Sequence, residues 1–196
     1  MAALQKSIYK KNAVLNATLT LVNDGGFQGA SMAKIAKAAN VSPGTIYLYF
    51  ENKQDLINAL YLRTKKRFCE AAFFNYDKTL PVKDSFKTIW YNMADYKLNQ
   101  SEESYFLSQC DNTPIVDITT QKKGIKLIQP IIDLWERGIV EGCIKPISPY
   151  LLYAYSVYPI AFMMTTQKRD NHTFGEDSLN DAYQAAWDSI RVKNKI

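Results

Sequence analysis

Apolar residues recur three and four positions apart along almost the whole chain, and no convincing run alternates with period two. That spacing gives each segment one helical stripe and leaves no half-buried strand from which to build a sheet, so the expected fold is all-α. The punctuation places the helices. Ile8, Leu15, Leu19 and Val22 share a face in the first segment, and Gly25-Gly26 should stop it. Ser31 stands as an N-cap before Met32, Ile35, Ala36 and Ala39, which follow an i, i+3, i+4, i+7 pattern. Asn40 falls where the chain must turn sharply, and asparagine tolerates the left-handed conformation. Ser42-Pro43 then restarts the chain as a cap with proline at the first helical position, opening about two turns to Phe50. Thr45, Ile46, Tyr47 and Tyr49 make this a poor isolated helix, so packing has to hold it. Asn52 caps the next helix, which continues past Arg67 toward Phe74.

The rest reads as five or so longer helices. Val82, Phe86, Ile89, Trp90 and Met93 form one stripe, and a short helical turn is expected around Tyr105 and Phe106. A segment from about Asp117 to Val140 should be kinked or divided at Pro130. Tyr150–Met164 reads as one helix, apolar nearly all round, and the last helix carries Leu179, Ala182, Tyr183, Ala186, Trp187 and Ile190.

Charge separates the chain into two parts. The whole has 24 Lys+Arg, 19 Asp+Glu and a net charge of +5. Residues 1–67 hold ten basic groups against Asp24, Glu51 and Asp55, so the entire positive excess lies in the first third. A basic module beside a near-neutral one points to a polyanionic partner for the first part, although a solvated basic face would look the same. The three cysteines form no CxxC pair, which fits reduced, packed thiols. His172 is the one histidine and sits in a polar stretch, without the company that a zinc site or a Ser-His or Cys-His catalytic arrangement requires. We therefore expect no metal, no cofactor and no enzymatic activity. The first residues lack a secretory pattern, and the Tyr150–Met164 stretch is too short to cross a bilayer of about 30 Å. The expected setting is cytoplasmic, with no membrane partner.

Helix, sharp turn and short helix over residues 31–50 is the arrangement in which the second helix enters the major groove of DNA. Ile35, Ala36, Val41, Ile46 and Phe50 are spaced to pack inward. Pro43, Gly44, Thr45, Tyr47, Leu48 and Tyr49 are left outward. Gly44 would let the start of the helix approach DNA closely, and the hydroxyls of Ser42, Thr45, Tyr47 and Tyr49 can reach phosphates or base edges. Lys34, Lys37 and Lys53 flank them with charge.

The run GGFQGASMAKIAKAANVSPGTIYLYFENKQDLI, residues 25–57, resembles the TetR/AcrR family of transcriptional regulators. Gly26-Phe27, Ile35-Ala36, Val41-Ser42, Gly44, Tyr47, Tyr49-Phe50, Asn52-Lys53 and Leu56 fall where that family's signature has them. The resemblance is dense over this stretch and looser over the first helix; beyond it, only helix count and length are similar. It implies that Ser31, Ser42, Gly44, Thr45, Tyr47, Tyr49 and Lys53 contact DNA, with Thr45, Pro43 and Leu48 discriminating sequence. Ala30 replaces a frequent threonine and Asn40 a usual glycine, and neither change upsets the assignment.

The resemblance also implies a three-helix reading head at residues 1–52, a connecting helix at about 53–74, and a helical effector-binding and dimerisation domain at 75–196. The sequence supports a homodimer independently, because one chain would struggle to cover both the 150–164 and 179–190 apolar helices. Leu152, Tyr155, Phe162, Leu179, Tyr183 and Trp187 are the candidate interface residues. Trp90, Met93, Tyr96, Tyr105, Phe106 and Trp135 are candidates to line an effector cavity for a small apolar or aromatic compound. Aromatic residues at helical spacing also simply fill cores, and the sequence leaves both readings open. The expected function is a dimeric repressor that binds a palindromic operator on double-stranded DNA and is released by a small effector. The alternative is a DNA-binding regulator that is constitutive or controlled by a protein partner.

Overall fold

The computed structural model describes residues 2–193, so the expected outer domain limits at 1 and 196 lie outside the described residues. Eleven helices follow one another among them: α1 (Ala2–Gly29), α2 (Met32–Ala38), α3 (Pro43–Tyr47), α4 (Lys53–Ala72), α5 (Val82–Asn99), α6 (Ser101–Asn112), α7 (Ile118–Lys126), α8 (Gln129–Val140), α9 (Pro149–Ser156), α10 (Pro159–Asp170) and α11 (Glu176–Ile190). The only extended pairing among these residues is a single bridge between Ile144 and Arg191.

The breaks have local causes. Gly26 leaves the helical conformation inside α1 at φ 66°, a region that glycine enters at no steric cost. Pro130 occupies the first turn of α8, which divides the 117–140 segment into α7 and α8 as its position requires. The 150–164 stretch, expected as one helix, is two. Pro159 opens α10 and has no N–H to give the carbonyl four residues back, so α9 closes at Ser156. The expected short turn near Tyr105 is a twelve-residue helix, α6, whose first turn carries Glu102 and Glu103 against the positive end of the dipole. Among the described residues three non-glycine positions have positive φ, and all are asparagines: Asn40, Asn75 and Asn171.

The chain forms two compact units, Met1–Lys66 with Glu102–Gly124, and Arg67–Ser101 with Ile125–Ile196. The first unit therefore recruits residues far along the chain. Its core holds Val14, Leu15, Leu19, Val22, Ile35, Ile46, Phe50, Leu56, Ile57, Leu60, Phe106 and Leu107. Polar bonds tie α6 and the α6–α7 turn into it. Gln109 Nε2 donates to Asn23 Oδ1 at 3.1 Å, and Asn23 Nδ2 donates to the Glu102 carbonyl at 2.9 Å. Gln54 Nε2 donates to the Ile115 carbonyl at 3.0 Å, and Asn58 Nδ2 donates to Asp117. Asp117 in turn caps α7 by accepting from the Thr120 N–H at 2.7 Å, and these bonds hold its carboxyl below the usual range.

In the second unit α5 packs against α8, α10 and α11, and α9 packs against α8, α10 and α11. Phe86, Trp90, Tyr183 and Trp187 fill its centre, with ring centroids 5.8 Å apart for Phe86–Trp187 and for Trp90–Tyr183. Gly138 lets α8 come close: a Cβ there would lie 2.6 Å from Ile144 Cδ1 and 3.0 Å from Val82 Cγ1. Cys69 and Cys110 are buried thiols and Cys143 is half-buried, and the three form no disulfide.

Candidate nucleic-acid interface

α2 and α3 owe their mutual setting to the turn between them. The Val41 N–H donates to the Ala36 carbonyl at 3.0 Å and the Asn40 N–H to the Lys37 carbonyl at 3.2 Å. This is the Schellman pattern, closed by a left-handed residue, and Asn40 fills that role at φ 52°. Caps define both helix starts. Ser31 Oγ accepts from the Lys34 N–H and Ser42 Oγ from the Thr45 N–H, each at 3.3 Å. Ser42 Oγ also lies 2.9 Å from Thr45 Oγ1. At the start of α4, Asn52 Oδ1 accepts from the Asp55 N–H at 2.9 Å while Asp55 reaches back to the Glu51 N–H at 3.1 Å. Ile35, Ala36, Ile46 and Phe50 are buried beneath these two helices, and Val41 is half-buried.

What this scaffold holds outward is a short, uncharged helix face. Pro43, Gly44, Tyr47 and Leu48 are exposed, Tyr47 at 57% and Leu48 at 79%, while Thr45 and Tyr49 are half-buried. Five residues of regular helix, rather than two full turns, carry it. The turn then continues through Tyr49 N–H and Phe50 N–H, both donating to the Ile46 carbonyl. Ser31, Lys34 and Ser42 are also exposed. Lys34 Nζ donates to the Gly29 carbonyl at 3.2 Å. Lys53 is folded onto the α1 end: its ammonium donates to the Phe27 carbonyl and lies 4.1 Å from the centroid of the Phe27 ring. Burial there pulls the Lys53 pKa down, though two of its three N–H groups remain to meet an anion.

One feature of this site escapes apolar periodicity. Ser7 Oγ, on α1, donates to the Tyr49 hydroxyl at 3.2 Å, and Lys11 Nζ lies 5.5 Å over the Phe50 ring. Contacts across 42 and 39 positions leave no spacing signal.

The remaining candidate residues divide by burial. Trp90, Met93, Phe106 and Trp135 are fully enclosed, Tyr96 is buried, and Tyr105 is half-buried. Tyr105 and Phe106 belong to the first compact unit and the other four to the second. Trp90 Nε1 donates to the Ser156 carbonyl at 2.8 Å, whereas Trp135 Nε1 is buried with no hydrogen-bond partner among the described residues. Of the interface candidates, Tyr155 and Phe162 are exposed and Leu179 is half-buried. Leu152, Tyr183 and Trp187 lie in the core of their own chain, because α11 spends its apolar face on α5 and α9. No helix among the described residues is long and apolar enough to cross a membrane.

Comparison with known proteins agrees with this geometry. Residues 14–60 match the family described as bacterial regulatory proteins, tetR family, and residues 81–191 match the tetracyclin repressor-like C-terminal domain. The chain is 28% identical over 147 residues to the HTH-type transcriptional regulator YhgD of Bacillus subtilis (strain 168), covering 74% of this chain and 77% of that one. Among solved structures, a TetR family transcription regulator from Marinobacter aquaeolei VT8 superposes with a TM-score of 0.89 at 24% identity, covering 96% of this chain and 99% of that one. A putative transcriptional regulator of the same family from Vibrio parahaemolyticus gives a TM-score of 0.80 at 27% identity, over 94% and 99%. The chain belongs to the TetR family of bacterial regulatory proteins and is a DNA-binding transcriptional regulator.

Proposed function

We propose that this regulator is a cytoplasmic homodimeric repressor that binds a palindromic operator through the α2–α3 face and is released by a small effector. The observation that carries the DNA-contact assignment is the exposed face Ser42–Leu48, held on a buried base and flanked by Lys34, Lys37 and Lys53. Lysines supply salt-dependent affinity to phosphates, while Pro43, Gly44, Thr45, Tyr47 and Leu48 read the groove. Binding to the DNA upstream of its own gene should fall steeply with salt, the slope of log K against log salt being about −0.9 per phosphate met. Tyr47→Ala should weaken it at every salt concentration; an unchanged affinity would remove Tyr47 from the interface.

The dimer is supported by Tyr150, Leu151, Tyr155, Tyr158 and Phe162, large apolar side chains left open to solvent along α9 and α10. A second copy is the partner of matching chemistry, and two copies set a two-fold operator with half-sites about one helical turn or more apart. Sedimentation of Tyr155→Glu/Phe162→Glu should show a monomer.

Effector release is supported by Trp135 Nε1, a buried donor that a ligand acceptor would satisfy. An effector that prefers the conformation with the wrong separation of the two α3 helices shifts the population away from DNA. A second reading, regulation without a small effector, is favoured by the complete enclosure of Trp90, Met93 and Phe106, which fits core packing. A ligand panel read by thermal shift separates the two, since a binder must raise the unfolding midpoint.

A further inference from the structure

The helix-turn-helix family match begins at residue 14, yet α1 starts at Ala2 and so carries about three additional turns ahead of it. Those turns reach the segment that follows α3. Ser7 Oγ donates to the Tyr49 hydroxyl at 3.2 Å, and Lys11 Nζ sits 5.5 Å over the Phe50 ring, so one face of the added turns borders the turn that follows α3. Residues 7, 10, 11 and 14 share that helical face, with Lys6 and Lys10 stacked one turn apart beside Ser7. Lys6 is exposed and Lys10 half-exposed, and neither has an ion-pair or hydrogen-bond partner among the described residues. No acidic residue occurs before Asp24. The result is a basic strip on α1 that meets the α2–α3 face through the Ser7–Tyr49 bond.

We propose that residues 6–11 of α1 form a second DNA contact. Lys6 and Lys10 neutralise backbone phosphates beside the groove entered by α3, and Ser7 is a positioning residue for Tyr49. By donating to the Tyr49 oxygen, Ser7 leaves the phenolic O–H free to donate outward to a phosphate. The occupant is duplex DNA rather than an acidic protein, because Ser7 is bonded to Tyr49, which is itself part of the α2–α3 face. This inference rests on the assignment of that face to DNA.

The test uses the full chain and the DNA upstream of its own gene, with affinity measured by fluorescence anisotropy across a salt series. Lys6→Ala/Lys10→Ala should flatten the slope of log K against log salt by about 3.6 in the proposed dimer, about 0.9 for each of the four phosphates lost, with the ranking of operator sequences unchanged. Lys122→Ala/Lys123→Ala removes the same charge from exposed positions on α7 and should leave the slope alone. Ser7→Ala should weaken binding by about two- to tenfold, Ser7→Thr should restore it, and Ser7→Ala should have no further effect in a Tyr49→Phe background. A wild-type slope in Lys6→Ala/Lys10→Ala, or an equal flattening in the α7 variant, overturns the phosphate contact. Additive effects of Ser7→Ala and Tyr49→Phe overturn the positioning role. A wild-type protein whose binding ignores salt overturns the DNA face itself, so the two failures are distinguishable.

Discussion

Gly44 separates what the fold needs from what DNA would need. It is the second residue of α3, its φ is not in the left-handed region, and a Cβ built on it meets no atom within 4 Å. Nothing inside the molecule asks for glycine at this position. Alanine is the better helix former by about 0.8–1 kcal/mol in a helix interior, and somewhat less so in a first turn. Gly44→Ala should therefore leave stability unchanged or raise it by up to about 1 kcal/mol, a shift of about 2–4 °C in the unfolding midpoint for a chain of this size. On the DNA side the sign reverses. If the α3 backbone lies against a phosphate or base edge, the added methyl has to displace a packed surface, which costs about 1–3 kcal/mol. The dissociation constant would then rise by about 5- to 150-fold. Thermal unfolding followed by circular dichroism gives the first number and anisotropy on the operator the second. Gly44→Val should deepen the loss of affinity, since its branched side chain projects further from the same backbone. Unchanged affinity in both variants, with stability moving as stated, would refute the close approach and return Gly44 to a solvent-exposed position without a role.

Other perturbations act on the scaffold. Asn40→Ala forces a left-handed alanine into the α2–α3 turn and should cost about 1 kcal/mol in urea unfolding, while Asn40→Gly should be neutral or stabilising. Gly138→Ala brings a methyl within 2.6 Å of Ile144 Cδ1 and should destabilise by about 1–3 kcal/mol, with the loss read in the same assay. The Asp117 carboxyl is held below its ordinary pKa by the Thr120 N–H, so its contribution is complete above the unfolded value near 4 and is lost as pH falls through the lowered folded value. Asp117→Asn should accordingly flatten the acid limb of the stability–pH curve and leave its neutral region nearly level.

The reading head was legible because its signals are local. Ser31, Ser42 and Asn52 each cap the helix that begins after them, and Asn40 closes the turn with positive φ. Proline at the first position of α3 and buried Ile35, Ile46 and Phe50 complete a pattern readable within twenty residues. The recruitment of residues 102–124 into the same unit was not legible. It depends on single side chains, Asn23 with Gln109 and Asn58 with Asp117, separated by 86 and 59 positions. Polar pairs at such distances impose no periodicity on the sequence. The Ser7–Tyr49 bond was hidden for the same reason.

The 150–164 stretch shows a different limit. Its residues are apolar on every side, so helical spacing supports two stripes equally well, and nothing polar marks which one faces out. The structure resolves this through Pro159. By ending α9 and restarting the chain as α10, it turns Leu152, Ser156, Ile160 and Met163 inward and leaves Leu151, Tyr155, Tyr158 and Phe162 outward. The inward set packs within the unit, with Ser156 bridging to Trp90 through its carbonyl. The outward set has the same helical spacing and no burial to account for it. An aromatic stripe that is regular, continuous across a helix break and open to water at 59% for Tyr155 and 67% for Phe162 has a hydration cost that a second identical stripe would relieve. Two-fold symmetry makes that the simplest complement, because each copy then offers the partner the surface it needs. In the proposed dimer Tyr183 and Trp187 would contribute little, since their rings pack on Phe86 and Trp90 in their own chain.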